Sequence, residues 1–144
     1  MATKKEADLR FKKFGTVSFT AITKTNDFVD YLEQGKIMGT KCKDCGLTFF
    51  PPRADCYKCL TSHMEWFEVT GRGNLLTYSK LEYAPVGFEA DLPYAIALAD
   101  YGEYKVFGRL SKNIPENEIK VGMQLKTVVN KLPNGQMNYV FEKA

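Results

Sequence analysis

The four cysteines are the residues of this chain with the clearest chemistry. They form two Cys-x-x-Cys pairs, Cys42 with Cys45 and Cys56 with Cys59, and ten residues separate the pairs. Two residues between thiols let one tight turn direct both sulfurs at a single point, and two such turns supply the four tetrahedral ligands of a structural zinc ion. Gly46 follows the first pair, where such a turn favours positive φ. The spacing therefore predicts one zinc ion with no open coordination position, which would stabilise structure rather than take part in a reaction.

Two alternatives to a metal site remain open from the sequence. The same four cysteines could form two disulfides, but no signal peptide opens the chain, so we expect a cytoplasmic protein with reduced thiols. A redox-active Cys-x-x-Cys pair is the second alternative, although redox motifs do not usually occur as two facing pairs. No stretch approaches the roughly 20 apolar residues of a membrane span, so no membrane association is expected.

The rest of the sequence is poor in groups that catalyse reactions. His63 is the one histidine, and all four cysteines belong to the metal pattern. A Ser-His-Asp or Cys-His nucleophile is therefore not expected, and His63 is interpreted as a surface or turn residue. There is also no glycine-rich phosphate loop. We predict no catalytic residue, so the chain is expected to perform no chemistry on its own.

The pattern of charges and breakers divides the 144 residues into an arm, a metal module and a β-rich part. Residues 1–24 are a basic arm with scattered aromatic residues, interpreted either as a flexible tail or as a strap that orders on a partner. Residues 25–65 contain a short helix and the metal module. Thr25 or Asn26 can cap this helix, and Gly35 can end it. Its apolar stripe must pack on the metal module or on another subunit, and consists of Phe28, Tyr31 and Leu32.

Residues 66–144 are predicted to be β structure. Expected strands run near Trp66–Val69, Leu75–Tyr83, Tyr94–Asp100, Tyr104–Leu110, Leu125–Leu132 and Asn138–Glu142. In the third of these, large side chains alternate with alanines, which suits the wall of a tight barrel. Asn134-Gly135 is a strong hairpin signal. Five or six short strands predict a small Greek-key barrel of the OB type, with a short helix or turn within Ser111–Gly122.

Several motifs, taken in order, resemble one protein family. They are Gly35-Lys-Ile, Cys42-Lys-Asp-Cys45-Gly46, Phe50-Pro-Pro-Arg53, Cys56-Tyr-Lys-Cys59, Trp66, Val69-Thr-Gly-Arg-Gly73, Tyr78-Ser79, Pro85-Val-Gly87-Phe88, Pro93-Tyr94-Ala95, Ile119-Lys-Val-Gly122-Met123 and Tyr139-Val-Phe141. The combination resembles the zinc-ribbon and OB-fold proteins first catalogued as domain of unknown function 35. It covers about residues 26–142, and the arm lies outside it.

The resemblance implies a mainly β fold, with an N-terminal short helix and a rubredoxin-like zinc ribbon followed by a small OB-fold Greek-key barrel. Members of this family are usually accessory subunits of thiolase-fold enzymes that act on acyl-coenzyme A, and the catalytic residues belong to the partner. The resemblance therefore implies a zinc-binding subunit that joins a thiolase-fold catalytic subunit in a 2+2 hetero-oligomer and helps bind the acyl-CoA. The partner's reaction would be of the thiolase, acyltransferase or aldolase type. One specific candidate is an aromatic acylsuccinyl-CoA thiolase of anaerobic toluene degradation.

Such a subunit needs an interface and, where it contacts coenzyme A, cations for the phosphates. We expect the apolar stripe of the helix to bury against the partner together with Phe11, Phe14 and Phe50. The candidate coenzyme A contacts are Arg53, Lys58 and Arg72 for the phosphate groups and Phe88 at the mouth of a pantetheine slot. Each of these four could equally be an ordinary surface or core residue.

The alternative function is a single-stranded nucleic-acid-binding module, because zinc ribbons and OB barrels both bind nucleic acids. The net charge of the chain is +3, but residues 73–144 hold eight basic and eight acidic residues. A neutral barrel disfavours nucleic acid as a partner, because single-strand binders follow the phosphates with a positive groove.

Overall fold

A computed structural model of the chain describes residues 8–16 and 23–144, which form two β modules and one short α-helix that precedes both in the sequence. The elements are a 3-10 turn Arg10–Lys13, helix α1 Asp27–Glu33, strands β1 Met38–Cys42, β2 Thr48–Phe49, β3 Met64–Glu68, β4 Gly73–Leu81, β5 Tyr94–Asp100, β6 Lys105–Leu110, β7 Gln124–Lys131 and β8 Met137–Lys143. Two further 3-10 turns span Glu89–Asp91 and Glu116–Glu118. Within this part of the chain, no helix has the length and apolar character needed to cross a bilayer.

The first module is a three-stranded antiparallel sheet in the order β2-β1-β3. The sequence analysis began the β-rich part at Trp66, and in the structure the strand at this residue belongs to the first sheet. β3 pairs along its whole length with β1, and Trp66 lies opposite Thr40. β3 therefore crosses the expected boundary between residues 65 and 66. β2 covers only two residues on one edge of β1. β3 pairs with all five residues on the other edge and so completes the hydrogen bonding of β1.

The second module is a closed five-stranded barrel in the order β4-β5-β6-β8-β7, which confirms the predicted OB-type architecture. All its pairings are antiparallel except β6 with β8. The β7–β8 hairpin turns at Asn134-Gly135 as expected, with Gly135 at φ +85°. The turn Glu116–Glu118 lies within the segment where a short helix or turn was predicted.

The small face of β5 points into the barrel. Ala97 and Ala99 are buried, whereas Ile96 and Leu98 lie on the outer face and are only half-buried. The same need for space explains Gly108 on β6, because a Cβ there would lie 2.8 Å from the Tyr139 ring. A larger residue at Gly108 would displace the rings of Tyr139 and Phe141 that pack against it. The alternation predicted a tight barrel wall, and the packing decided which side faces inward.

Helix α1 is wedged between the two modules. Phe28 and Leu32 are 3% and 1% exposed and belong to one core cluster with barrel residues such as Phe141. The expectation that this stripe buries against a partner is therefore wrong for these two residues, because the barrel already covers them. Gly35 ends the helix at φ +80° as predicted. Asn26 is the N-cap residue, but its side chain makes no capping bond and donates instead to the Thr23 carbonyl at 2.7 Å.

The described part of the arm also packs within the chain. Phe11 stacks on Phe28 at 6.2 Å between ring centroids, and Phe14 contacts both Phe28 and Tyr139. Gly15 adds a backbone hydrogen bond to the Met137 carbonyl at 2.7 Å. These two aromatic residues were expected at a partner interface, but they contact the helix and barrel of their own chain. Residues 1–7 and 17–22 of the predicted arm lie outside the described residues.

Candidate functional site

Two backbone turns of the same design carry the cysteines. In the first, Gly46 N–H donates to the Cys42 carbonyl at 2.9 Å, and Gly46 has φ +77°. In the second, Leu60 N–H donates to the Cys56 carbonyl at 2.9 Å, and Leu60 has φ +56°. Each turn reverses the chain directly after a Cys-x-x-Cys pair. Glycine adopts this conformation freely, whereas a leucine adopts it at a steric cost.

The four cysteine sulfurs meet at one point, as the spacing predicted. All four Sγ atoms lie within 4.8 Å of one another, and Cys45 Sγ lies 3.7 Å from Cys56 Sγ. A tetrahedral zinc with bonds of about 2.3 Å places its sulfurs about 3.8 Å apart, so the set fits this ion. Cys42 and Cys56 are buried, whereas Cys45 is exposed. His63 is not part of the set, because its Nδ1 lies 3.0 Å from an Asp44 carboxylate oxygen on the surface.

The electrostatics of the cluster also suit a cation. The backbone N–H of Cys59 lies 3.5 Å from Cys56 Sγ and, with further donors, lowers the pKa of Cys56 to about 7. Hydrogen bonding with Cys45, followed by burial, raises the pKa of Cys59 to about 12. Four crowded sulfurs cannot all ionise unless a positive charge offsets their repulsion. A divalent metal ion supplies that charge, and the residues present would hold it through four thiolates.

Arg53 lies directly beside this centre. Its backbone N–H donates to Thr40 Oγ1 at 2.8 Å, and Thr40 Oγ1 donates to the Arg53 carbonyl at 2.9 Å. The Arg53 guanidinium lies over the rings of Phe49 and Tyr57, at 5.4 and 5.8 Å from their centroids. Among the described residues it has no carboxylate partner. With Lys24 it is among the residues that line a cavity of about 180 Å³.

The other candidate coenzyme A contacts do not line this cavity. Lys58 is exposed between the two cysteines of the second turn. Arg72 donates to Gln124 Oε1 at 3.2 Å at the start of β7. Phe88 lies on the loop before β5, beneath the guanidinium of Arg109. Of the four predicted contacts, only Arg53 lies at the cavity beside the metal centre, and Phe88 belongs to a second cavity on the barrel.

Arg109 lines that second cavity, and the sequence analysis missed both this residue and its partner Asp91. Arg109 Nη1 lies 2.8 Å from an Asp91 carboxylate oxygen, and the guanidinium stacks 4.2 Å from the Tyr94 ring centroid. Nothing in the spacing of Asp91 and Arg109 along the sequence indicates this pair. The sequence feature that could have indicated Arg109 is the alternation of residues along β6, which places Phe107 and Arg109 on the outer face of the barrel.

A four-cysteine zinc ribbon followed by an OB barrel defines a class of two-module zinc proteins, and the comparisons identify the family. Residues 29–65 match the family model described as "ChsH2, rubredoxin-like zinc ribbon domain", and residues 66–130 match "ChsH2, C-terminal OB-fold domain". The chain therefore belongs to the ChsH2 family of zinc-ribbon and OB-fold proteins, also known as DUF35, as the sequence motifs predicted.

Archaeal relatives are similar over most of their length. A DUF35 domain-containing scaffold protein of Methanocaldococcus jannaschii is 34% identical over 98 residues, which cover 67% of this chain and 69% of that protein. One of the same description from Pyrococcus furiosus is 31% identical over 102 residues, covering 71% and 74%.

Two solved structures share the fold. The structure described as "Ltp2-ChsH2(DUF35) aldolase" superposes with a TM-score of 0.67 at 22% identity, covering 84% of this chain and 95% of that one. A DUF35-family protein of unknown function from Sulfolobus solfataricus superposes with a TM-score of 0.53 at 24% identity, covering 82% and 81%.

Proposed function

We propose that this chain is a non-catalytic, zinc-binding scaffold subunit of a thiolase-fold enzyme that acts on acyl-CoA. The observation that carries the proposal is the closed metal centre, which engages all four cysteines of a chain that belongs to the ChsH2 family. Its archaeal relatives are named scaffold proteins, and a structure of the same fold is described as an aldolase formed by Ltp2 and ChsH2. Both names support assembly with a catalytic partner. A 2+2 hetero-oligomer is the stoichiometry we propose.

The tip of the second metal turn is our candidate for the partner contact. Leu60 is 86% exposed and holds φ +56°, a conformation that asparagine and glycine adopt more readily. Tyr57 is exposed beside it. In the isolated chain, the exposed Leu60 side chain contributes no burial energy to offset the cost of its backbone conformation. Burial of its side chain on association would contribute about 1.5–3 kcal/mol, which offsets the backbone cost.

The variant Leu60→Asn tests this contact without endangering the fold. Asparagine tolerates positive φ, so the melting temperature of the variant should equal or exceed that of the parent. Assembly with the co-expressed thiolase-fold subunit should weaken about tenfold or more, as measured by titration calorimetry. The matched control is Val121→Asn, which replaces another exposed apolar residue at the barrel end. Equal weakening by both variants would refute a specific contact at the tip.

Assembly itself is tested by co-expression with the thiolase-fold subunit and size-exclusion chromatography with light scattering. The expected result is one joint peak with the mass of two copies of each subunit. Acyl-CoA turnover in that peak should require both chains. Separate elution of the small chain from a fully active large subunit would overturn the proposed function.

Direct contact with coenzyme A is the finer part of the proposal, and Arg53 is its strongest candidate. The guanidinium lies over the rings of Phe49 and Tyr57 and has no carboxylate partner in the described part of the chain. Loss of a charge-assisted phosphate contact weakens binding by about 1.5–3 kcal/mol, or roughly ten- to a hundredfold. Arg53→Ala should therefore raise the KM of the assembled enzyme for its acyl-CoA. Lys58→Ala and Arg72→Ala are the parallel variants, and an unchanged KM with intact assembly removes a residue from the site.

In this proposal, the pocket of the catalytic partner binds the acyl group and determines which acyl-CoA is used. An aromatic acylsuccinyl-CoA is the specific substrate candidate, and turnover of that compound by the joint peak tests it. A nucleic-acid role is tested with a labelled single-stranded oligonucleotide. We expect no binding at physiological salt, because the barrel half carries equal numbers of basic and acidic residues.

A further inference from the structure

Two cavities on the outer side of the barrel meet at three shared residues. The first, which we name the barrel slot, has a volume of about 360 Å³ and is lined by β5, β6, the loop before β5 and the arm residues 14–16. The second, which we name the polar pocket, has a volume of about 270 Å³ and lies between the Glu89–Asp91 turn, the segment after β6 and the β7–β8 hairpin. Tyr94, Arg109 and Asn138 line both.

The barrel slot has apolar walls. Its sides are the rings of Phe88, Phe107 and Tyr139 with the side chain of Ile96. The Tyr139 hydroxyl donates to the Phe107 carbonyl at 2.7 Å, so it offers no hydrogen to a ligand. Phe107 is 48% exposed although it lies on a central barrel strand. A site with these walls accepts an aromatic ring or a short aliphatic chain.

The polar pocket carries an excess of positive charge. Its described lining contains three cations, Arg109, Lys112 and Lys131, against the single carboxylate of Asp91. The charge of that carboxylate is paired with Arg109, because its Oδ2 accepts hydrogen bonds from Arg109 at 2.8 Å and from Thr16. Lys112 Nζ is held at 2.7 Å from the Asp91 backbone carbonyl. Three positive side chains against one carboxylate leave the pocket with a net positive charge, which favours the binding of a negatively charged group.

A buried amide marks the junction of the two cavities. Asn138 is only 8% exposed, and its Oδ1 accepts a hydrogen bond from Asn130 Nδ2 at 3.0 Å. Among the described residues, the Asn138 Nδ2 group has no acceptor. The Nδ2 group is not among the fully buried polar atoms that lack a partner, so it is accessible to a ligand or water in the two cavities. Arg109, stacked on Tyr94 and paired with Asp91, is fixed at the same junction.

We infer that the barrel slot and the polar pocket together bind one amphiphilic anion, with an aromatic or short aliphatic body in the slot and a carboxylate or phosphate group in the polar pocket. The position agrees with the general location of ligands on OB barrels. These ligands lie over the second and third strands, between the loop that joins strands one and two and the loop that joins strands four and five. In this chain those strands are β5 and β6, and the loops are residues 82–93 and 132–136. All the residues of this site belong to this chain, so the site is present without a partner.

The test uses calorimetric titration of the full, zinc-loaded chain with three probes: 4-phenylbutyrate, phenylbutyl phosphate and the uncharged 4-phenylbutyramide. We expect both anions to bind about tenfold or more tightly than the amide, and their order identifies the preferred head group. Lys131→Ala should weaken the anions several-fold and leave the amide unchanged. Phe107→Ser should weaken all three probes. Lys126→Ala, on the same strand but outside both cavities, is the matched control and should change none.

Equal binding of the amide and the anions, or equal effects of Lys131→Ala and Lys126→Ala, would overturn the inference. Displacement of the bound anions by a single-stranded oligonucleotide would also overturn it, because the surface would then be a nucleic-acid site. Far-UV circular dichroism of each variant excludes loss of fold. Lys131 is exposed, so its variant keeps the test valid if Phe107→Ser proves unstable.

Discussion

The hydroxyl of Thr40 connects the two halves of the zinc ribbon, and its removal is a sharp test of the structure. Thr40 lies on β1 directly before the first cysteine pair and is 2% exposed. Its Oγ1 both accepts from and donates to the backbone of Arg53, which precedes the second cysteine pair. The variant Thr40→Val keeps the β-branched shape but deletes both hydrogen bonds.

The expected cost follows from these two bonds. Each contributes about 1 kcal/mol net, and the released Arg53 groups must find water at the edge of a packed sheet, so the free energy of unfolding should fall by about 2 kcal/mol. With a urea m-value of about 1–3 kcal/mol/M, the unfolding midpoint should fall by roughly 1 M. Trp66 is the single tryptophan and pairs with Thr40 in the sheet, so its fluorescence reports this module directly.

The control is Thr77→Val on β4. Thr77 is exposed, and its hydroxyl makes no hydrogen bond to the rest of the described chain. An exposed substitution of this kind changes the stability by about 0.5 kcal/mol or less. If Thr40→Val shifts the midpoint no more than Thr77→Val does, the two hydrogen bonds do not hold the ribbon together and the reasoning is refuted.

Two further predictions concern the metal and the barrel. Cys42→Ser should lower the zinc content from about one equivalent to near zero and unfold the ribbon, because structural zinc contributes on the order of 10 kcal/mol to such modules; elemental analysis and Trp66 fluorescence measure both, and a retained equivalent contradicts the site. Burial raises the pKa of Asp91, but hydrogen bonds from Thr16 and Arg109 outweigh burial and hold this pKa below its ordinary value. Its stabilising effect is therefore present above the ordinary aspartate pKa and lost as the pH falls through the lowered folded pKa. Asp91→Asn should flatten the acid limb of the stability profile measured by urea titration, and an unchanged limb contradicts the prediction.

Much of the local structure could be predicted because it depends on neighbours in the chain. The cysteine spacing predicted the metal ligands, since each pair is brought together by a single turn. β5 was predicted at Tyr94–Asp100 and has the same bounds in the structure. Its ends are set by Pro93 and Gly102, whose backbone preferences act locally. The Asn134-Gly135 turn was correct for the same reason.

Errors arose where a distant partner decided the outcome. The residue pattern of the strand at Trp66 resembles that of the barrel strands. Its place in the ribbon depends on pairing with β1, and the amino-acid pattern of the strand itself does not indicate that partner. The stripe of α1 predicted a buried face, but not that Phe28 and Leu32 would be covered by the barrel rather than by another subunit. Thr25 or Asn26 was expected to cap the helix. Asn26 occupies the N-cap position but makes no capping bond, and its amide donates to the Thr23 carbonyl instead.

The zinc site, the order of the strands along the chain and the family could be predicted from motifs and breakers, because these act over a few residues. The tertiary structure alone decided which side of β5 faces inward, since that depends on whether alanines or larger residues leave room for Phe141. It alone brought together Asp91, Arg109 and Asn138. These residues lie far apart in the sequence and meet only because the barrel closes, and closure is a property of all five strands together.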